Sequence, residues 1–300
     1  MAALYAAYRR DLDAAAARVA LGSQLAQTPC GVIEYSSFGA GPALLLVHGG
    51  GGGIDQTREY AERLAAAGLR VVTVSRFGYL RTPLPADGSP AAQADAHACL
   101  LDSLKIERAV VLGVSAGAPS TLQFALRHAR RASGVVLLVP AAYAPRPDGA
   151  TPVPAGARWL IRAAAFSDFG LWLAARAVQL WARGESEQQR FARLIEQPLP
   201  LALREAGMRN DFAVLSALQR YELERIAAPT LVVSVANDHP MVNAGARYSA
   251  AHIPGAKHLE LPDGGHFWIG RNEQLIGEVA AFIRSAGSAA ASGRPAAARN

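Results

Sequence analysis

Apolar positions along this chain follow two spacings. Residues 43–47, 71–75, 109–114, 135–139 and 231–235 are short runs, apolar at nearly every position and bounded by polar residues, Gly or Pro. Runs of that kind predict strands buried on both faces of a sheet. Residues 32–38 follow the turn Pro29-Cys30-Gly31 and predict the second strand of a hairpin, and residues 258–261 a last strand. The second spacing is helical. It predicts helices over 56–67, stopped by Gly68, over 90–104 with Pro90 in the first turn, over 118–128, near 243–251, and over 273–284.

Strands and helices alternate up to residue 140. From about 141 to 226 only helical patterns occur, and the alternation then resumes. Strand–helix alternation of this length predicts right-handed crossovers and a mostly parallel, doubly wound α/β sheet. The helical block reads as a cap inserted over the carboxyl edge of the sheet, where such folds bind ligands. The expected division is an amphipathic N-terminal helix over 1–22, an α/β core over 23–141 and 226–285, a helical cap over 142–225 and a disordered tail over 286–300. The first helix is drawn from Leu4, Tyr8, Leu12, Ala16 and Val19, and the tail from a Ser, Ala, Gly, Pro and Arg composition without periodicity.

Composition narrows the picture. The chain has 300 residues, 51% hydrophobic and 18% charged, enough to bury a large core. No uninterrupted apolar stretch approaches the ~18 residues of a membrane span. Arg9, Arg10 and Asp11 break the N-terminus before a signal-peptide core can form. Cys30 and Cys99 are too few for a disulfide framework or a cysteine-rich zinc module. They are compatible with a reducing compartment, so a cytoplasmic location is expected. The net charge of +6 raises nucleic acid as a partner. The basic residues, however, are nearly all arginines, scattered among acids rather than gathered in one stripe, so no nucleic-acid partner is expected.

Gly113-Val114-Ser115-Ala116-Gly117 fits G-x-S-x-G, with a predicted strand leading in and a helix leaving. A sharp turn there would lift the Ser115 hydroxyl clear of the sheet at a helix N-terminus. His48 and five glycines, Gly49–Gly53, follow the strand at 43–47. No Gly-Lys-Ser/Thr follows, which excludes a P-loop, and Ile54 stands where a dinucleotide fingerprint needs its third glycine. The remaining use is an oxyanion hole. Its donors would be the backbone N–H of Gly50, with Gly51 as the alternative, and that of Ala116 after the serine. His48 reads as a loop-ordering residue.

A serine hydroxyl needs a base, and the base needs an orienting acid. Of seven histidines, His266 sits in the loop Pro262–Phe267, between the last strand and the last helix. Asp238 follows the strand at 231–235. Asp263 is a local rival on the same loop as His266, and Asp211 lies in the helical insertion.

The order Ser115, Asp238, His266 resembles that of the α/β-hydrolase superfamily, from about residue 31 to 284. The resemblance rests on HGGGGG at 48–53, GVSAG at 113–117, NDHP at 237–240 and GGHF at 264–267. The chain departs from many members in having Ala118-Pro119 after Gly117. The resemblance implies a serine hydrolase without metal or cofactor, acting on an apolar ester-type small molecule through an acyl-enzyme. A serine at 115 also sets the chain apart from relatives with an aspartate nucleophile. The segment Ser75–Leu80 corresponds to a loop bordering the site, which places Phe77 on the substrate wall, with Phe267 beside the histidine. Trp159, Phe166, Phe169, Trp172 and Trp181 are expected to form the cap's own core. The alternative sets some of them, Trp159 included, on an apolar pocket. C–C hydrolysis of a ring-cleavage diketone, acyl transfer or perhydrolysis, and a non-catalytic binding protein are the other readings. Oligomeric state is not legible.

Overall fold

The computed structural model describes residues 2–145, 167–181 and 197–292. Eight strands form one sheet: β1 (Gln24–Thr28), β2 (Gly31–Phe38), β3 (Ala43–Val47), β4 (Arg70–Val74), β5 (Ala109–Val114), β6 (Ala132–Leu138), β7 (Thr230–Val235) and β8 (Lys257–Leu261). Their spatial order is β1-β2-β4-β3-β5-β6-β7-β8. The hairpin β1–β2 and the β2–β4 pair are antiparallel, and every other pair is parallel.

The apolar runs form these strands because both faces of the sheet are covered. Successive side chains alternate faces. Leu44 and Leu46 therefore pack with α2 (Arg58–Ala66) and the C-terminal helix, while Leu45 and Val47 pack with α3 (Pro90–Ser103) and α4 (Ala118–Arg127). Ser89 caps α3, its hydroxyl accepting from the Ala92 N–H at 3.2 Å, ahead of Pro90.

The N-terminal helix, α1 (Ala2–Ala20), buries Ala15 and Val19 but leaves Leu4 exposed. Its inward face meets α5 (Asp168–Trp181), in the segment between β6 and β7. Tyr8 packs edge-on against Phe169 and Trp172, and the Trp172 indole donates to Asp11 at 2.9 Å. Among the described residues of that segment there is no strand. A second helix there, α6 (Glu205–Ser216), reaches the loops at the sheet edge. Helix α7 (Pro240–His252) joins β7 to β8.

Two expectations change. The last helix, α8, runs Asn272–Ser292, so a disordered tail does not begin at 286. Ala286 is 3% exposed and packs in the same core as Phe282 and Ile283, which a composition of small residues did not signal. Cys30 and Cys99 are joined as a disulfide that ties the β1–β2 turn to α3. Two cysteines make no framework, but they do make one cross-link. No helix among the described residues is long and apolar enough to cross a membrane.

Candidate functional site

Four chain segments meet at the carboxyl edge of the central parallel strands. The first is the turn after β5. Ser115 adopts φ +47°, a left-handed conformation uncommon for a residue with a side chain. The two flanking glycines permit the turn by close approach. A Cβ on Gly113 would stand 2.4 Å from Thr121 Oγ1, and one on Gly117 would stand 2.7 Å from the His48 carbonyl oxygen. Residues 115–117 form a 3₁₀ turn that runs into α4, so the Ala116 N–H lies among the unpaired donors of a helix start.

The second and third segments carry the partners. The Asp238 N–H donates to the Val235 carbonyl at 2.9 Å, turning the chain just past β7. The Gly265 N–H donates to Asn237 Oδ1 at 2.9 Å and ties the loop after β8 to the one after β7. His266 is thereby set between two groups. Its Nδ1 lies 2.9 and 3.1 Å from the two Asp238 oxygens, and its Nε2 lies 3.0 Å from Ser115 Oγ. The Asp238 side chain is 2% exposed, whereas that of His266 is 32% exposed. With Asp238 accepting from Nδ1–H, Nε2 is free to take the serine proton. The rival Asp263 instead pairs with Arg271 at 2.6 Å.

The fourth segment is the glycine loop after β3. His48 is fully buried, and its Nε2 accepts from the Arg76 N–H at 3.0 Å. The proton therefore sits on Nδ1, which donates to the Gly49 carbonyl at 2.7 Å. Burial, reinforced by the nearby Arg76 charge, holds the His48 pKa well below its usual value, so the ring stays neutral and ordering rather than basic. The Gly49 carbonyl also accepts from Arg76 Nη2 at 3.1 Å. In a trans peptide the N–H points opposite the C=O. Fixing the Gly49 oxygen therefore aims the Gly50 N–H the other way. A Cβ on Gly50 would lie 3.8 Å from that of Ala116. The Gly51 N–H is already used, donating to the Tyr79 hydroxyl at 3.2 Å.

Tyr79 and Asp211 line the cavity with Arg76 behind them; sequence reasoning places the Ser75–Leu80 loop at the site but singles out Phe77 in it, and weighs Asp211 only as a rival acid. Arg76 forms a two-pronged pair with Asp211 at 2.6 and 2.7 Å, and the Tyr79 hydroxyl donates to Asp211 at 2.5 Å. Burial raises the Tyr79 pKa, and the Asp211 carboxylate adds to that rise, so the phenol stays protonated. For Arg76, burial opposes the charge but Asp211 outweighs it, and its pKa is raised. A signal for Asp211 was present: it shares a helix face with Met208, Phe212 and Leu215, an acid on an otherwise apolar stripe.

A cavity of about 810 Å³ opens over Ser115, lined by Gly50, Ala116, His266 and Phe267 among others. Phe77 does not line it. Its ring is 6% exposed and sits in the α3-side core, while Tyr79, two residues on, reaches the cavity. A phenol finds polar partners at the site, and a phenyl ring is better placed in the apolar layer. Trp159 and Phe166 lie outside the described residues. Phe169 and Trp172 pack on Tyr8, and the helical segment contributes Leu171, Met208, Phe212 and Leu215 to the cavity instead. Among the described residues no group of three or more His, Cys, Asp or Glu side chains could hold a metal ion.

The chain has known relatives. A model of the alpha/beta hydrolase fold family matches residues 42–270. An uncharacterized hydrolase of Bacillus subtilis, YcgS, is 26% identical over 276 residues, covering 83% of this chain and 93% of its own. A 2-hydroxy-6-oxo-6-phenylhexa-2,4-dienoate hydrolase of Comamonas testosteroni is 30% identical over 114 residues, 36% of this chain and 40% of its own. Among solved structures, an alpha/beta hydrolase fold protein from Nakamurella multipartita superposes with a TM-score of 0.69 at 29% identity, over 88% of this chain and 99% of its own. Since the matched span takes in the parallel strands and every loop that carries a candidate site residue, the chain belongs to the alpha/beta hydrolase fold family.

Proposed function

We propose that this hydrolase cleaves an ester of an apolar small molecule, without a cofactor, through an acyl-enzyme on Ser115. The observation that carries the reading is the hydrogen-bonded line from Asp238 through His266 to Ser115 Oγ. His266 Nε2 takes the hydroxyl proton as Ser115 Oγ attacks the carbonyl carbon. Asp238, shielded from solvent, orients the ring and stabilises its charged form. The Gly50 and Ala116 N–H groups receive the oxyanion, each such donor being worth about 3 kcal/mol. His266 then protonates the leaving alcohol, and a water deprotonated by the same ring releases the acid. The segment between β6 and β7 acts as a cap that sets the substrate. The location is proposed as cytoplasmic, where the Cys30–Cys99 bridge would have to persist against cellular thiols.

Hydrolysis of a C–C bond in a ring-cleavage diketone is the second reading, favoured by the Comamonas relative's printed activity. The test is a panel of an ester, a thioester and such a dienoate, with Ser115→Ala as control. Ester turnover that Ser115→Ala reduces by at least ~10³-fold supports the first reading. Turnover of the dienoate alone supports the second.

A further inference from the structure

Asp211 stands in the cavity wall among apolar side chains. It belongs to α6, whose Met208, Phe212 and Leu215 line the same cavity. Its side chain keeps 11% of its surface exposed. Its place relative to the reaction is fixed through Gly50, the proposed oxyanion donor. A Cβ there would stand 3.8 Å from Asp211 Oδ2 and 3.8 Å from the Ala116 Cβ. The carboxylate and the nucleophile turn thus flank one glycine.

An ionised carboxylate accepts about four hydrogen bonds, two at each oxygen. Oδ2 spends both of its positions, on Arg76 Nη2 at 2.7 Å and on the Tyr79 hydroxyl at 2.5 Å. Oδ1 takes Arg76 Nη1 at 2.6 Å, and its second position has no partner among the described residues. Polar neighbours on the glycine loop are committed elsewhere. Gln56 accepts from the Gly49 N–H at 2.9 Å and donates to the Gly50 carbonyl at 3.4 Å, and Asp55 holds Arg204 at 2.7 Å. The charges of Asp211 and Arg76 cancel, so the pair offers little to a cation. A neutral donor still gains a charge-assisted hydrogen bond there, and an apolar wall strengthens it. We propose that Asp211 is a specificity-determining residue. Its open Oδ1 position receives a neutral hydrogen-bond donor of the substrate, a hydroxyl or an amide N–H, close to the scissile carbonyl. The substrate is then an ester, apolar elsewhere, that carries such a donor. This rests on the ester-hydrolase reading and narrows its substrate class.

The test uses pairs of esters matched in size, each rate divided by that of alkaline hydrolysis. On the acyl side these are the methyl esters of 2- and 3-hydroxybutanoate against 2- and 3-methylbutanoate, and of N-acetylalanine against its N-methyl derivative. On the alcohol side they are 2-hydroxyethyl against propyl acetate and 3-hydroxypropyl against butyl acetate. In at least one pair kcat/KM should be about tenfold or more higher for the donor-bearing member. Methyl 3-aminobutanoate, cationic at neutral pH, should not share that gain. Asp211→Ala should lower the ratio at least ~fivefold, and reading a ratio cancels any loss common to both members. Tyr79→Phe keeps the carboxylate and frees a second position on Oδ2, so the preference should persist; this variant serves should Asp211→Ala fail to fold, as read by its thermal melt. Smaller ratios in every pair, an equal gain for the ammonium ester, a ratio unmoved in folded Asp211→Ala, or a preference lost in Tyr79→Phe would overturn the proposal. Failure of the hydrolase reading looks different: no ester is turned over and no fluorophosphonate labels Ser115. In that case calorimetry with the same pairs reads the contact directly. Tighter binding of the donor-bearing member, lost in Asp211→Ala, supports it, and equal or absent binding overturns it.

Discussion

Arg76 divides its guanidinium between two backbone carbonyls, His48 and Gly49, and the carboxylate of Asp211. Its charge is thus held behind the peptide that carries the Gly50 N–H, the proposed oxyanion donor. Asp211 brings a carboxylate to Gly50, its Oδ2 3.8 Å from where a Cβ on that residue would stand, and the pairing with Arg76 neutralises it. Arg76→Gln should lower kcat by about 10²-fold with a much smaller change in KM, since a misaimed donor weakens the transition state more than the ground state. Arg76→Lys, which keeps the charge but not the fork, should recover only part of the loss. Equal kcat in Arg76→Gln and the parent would contradict this role. Two other buried groups govern acid stability. Burial lowers the His97 pKa to about 3 and holds that of His48 well below its ordinary value, 6.5. Both bind protons more readily when unfolded. Their contribution to stability is complete above about pH 6.5 and is lost as pH falls below it, for His97 down to about pH 3. Chemical denaturation at several pH values should show that acid slope, reduced in His97→Gln.

Among the elements, the buried strands were legible because parallel strands covered on both faces are apolar throughout, as in Leu44–Val47. Glycine patterns gave the elbow, since Gly113 and Gly117 are required by contacts of under 3 Å. What eluded the sequence were the directions of loop side chains. Within one segment, Phe77 turns into the core and Tyr79 into the site, and alternation rules do not extend to a loop. The reach of α8 was also hidden, because alanines and serines make a helix face without an apolar stripe. Ala286→Asp tests that packing. Burying an unpaired carboxylate there should cost about 2 kcal/mol in urea unfolding, and no cost would place residue 286 outside the core. The Cys30–Cys99 link closes a 69-residue separation, which in the chain-entropy model stabilises by about 4 kcal/mol. Non-reducing thiol titration of the denatured protein should find no free thiol, and reductant should lower Tm.

At the scale of the whole molecule, two reciprocal buried ion pairs couple the helical segment to the core. Arg204, just before α6, pairs with Asp55 of the core at 2.7 Å and donates to the Gly52 carbonyl, while Asp211 of α6 receives Arg76. The glycine loop is therefore held by Arg204 at Gly52 and by Arg76 at Gly49, the latter arginine being received by Asp211 of α6. Arginine, which first suggested a basic partner, is used largely in such pairs: Arg127 with Asp95, Arg131 with Asp102 and Arg271 with Asp263 repeat the pattern on the surface. Breaking one buried pair by Asp55→Ala should cost about 3–5 kcal/mol, far more than loss of a surface pair such as Arg127–Asp95. The central claim is that Ser115 is the nucleophile. It is tested most directly by treating the protein with a fluorophosphonate and mapping the adduct by peptide mass spectrometry. The account predicts a single adduct on Ser115 that is absent from Ser115→Ala. An adduct on another serine, or undiminished labelling of Ser115→Ala, would contradict it.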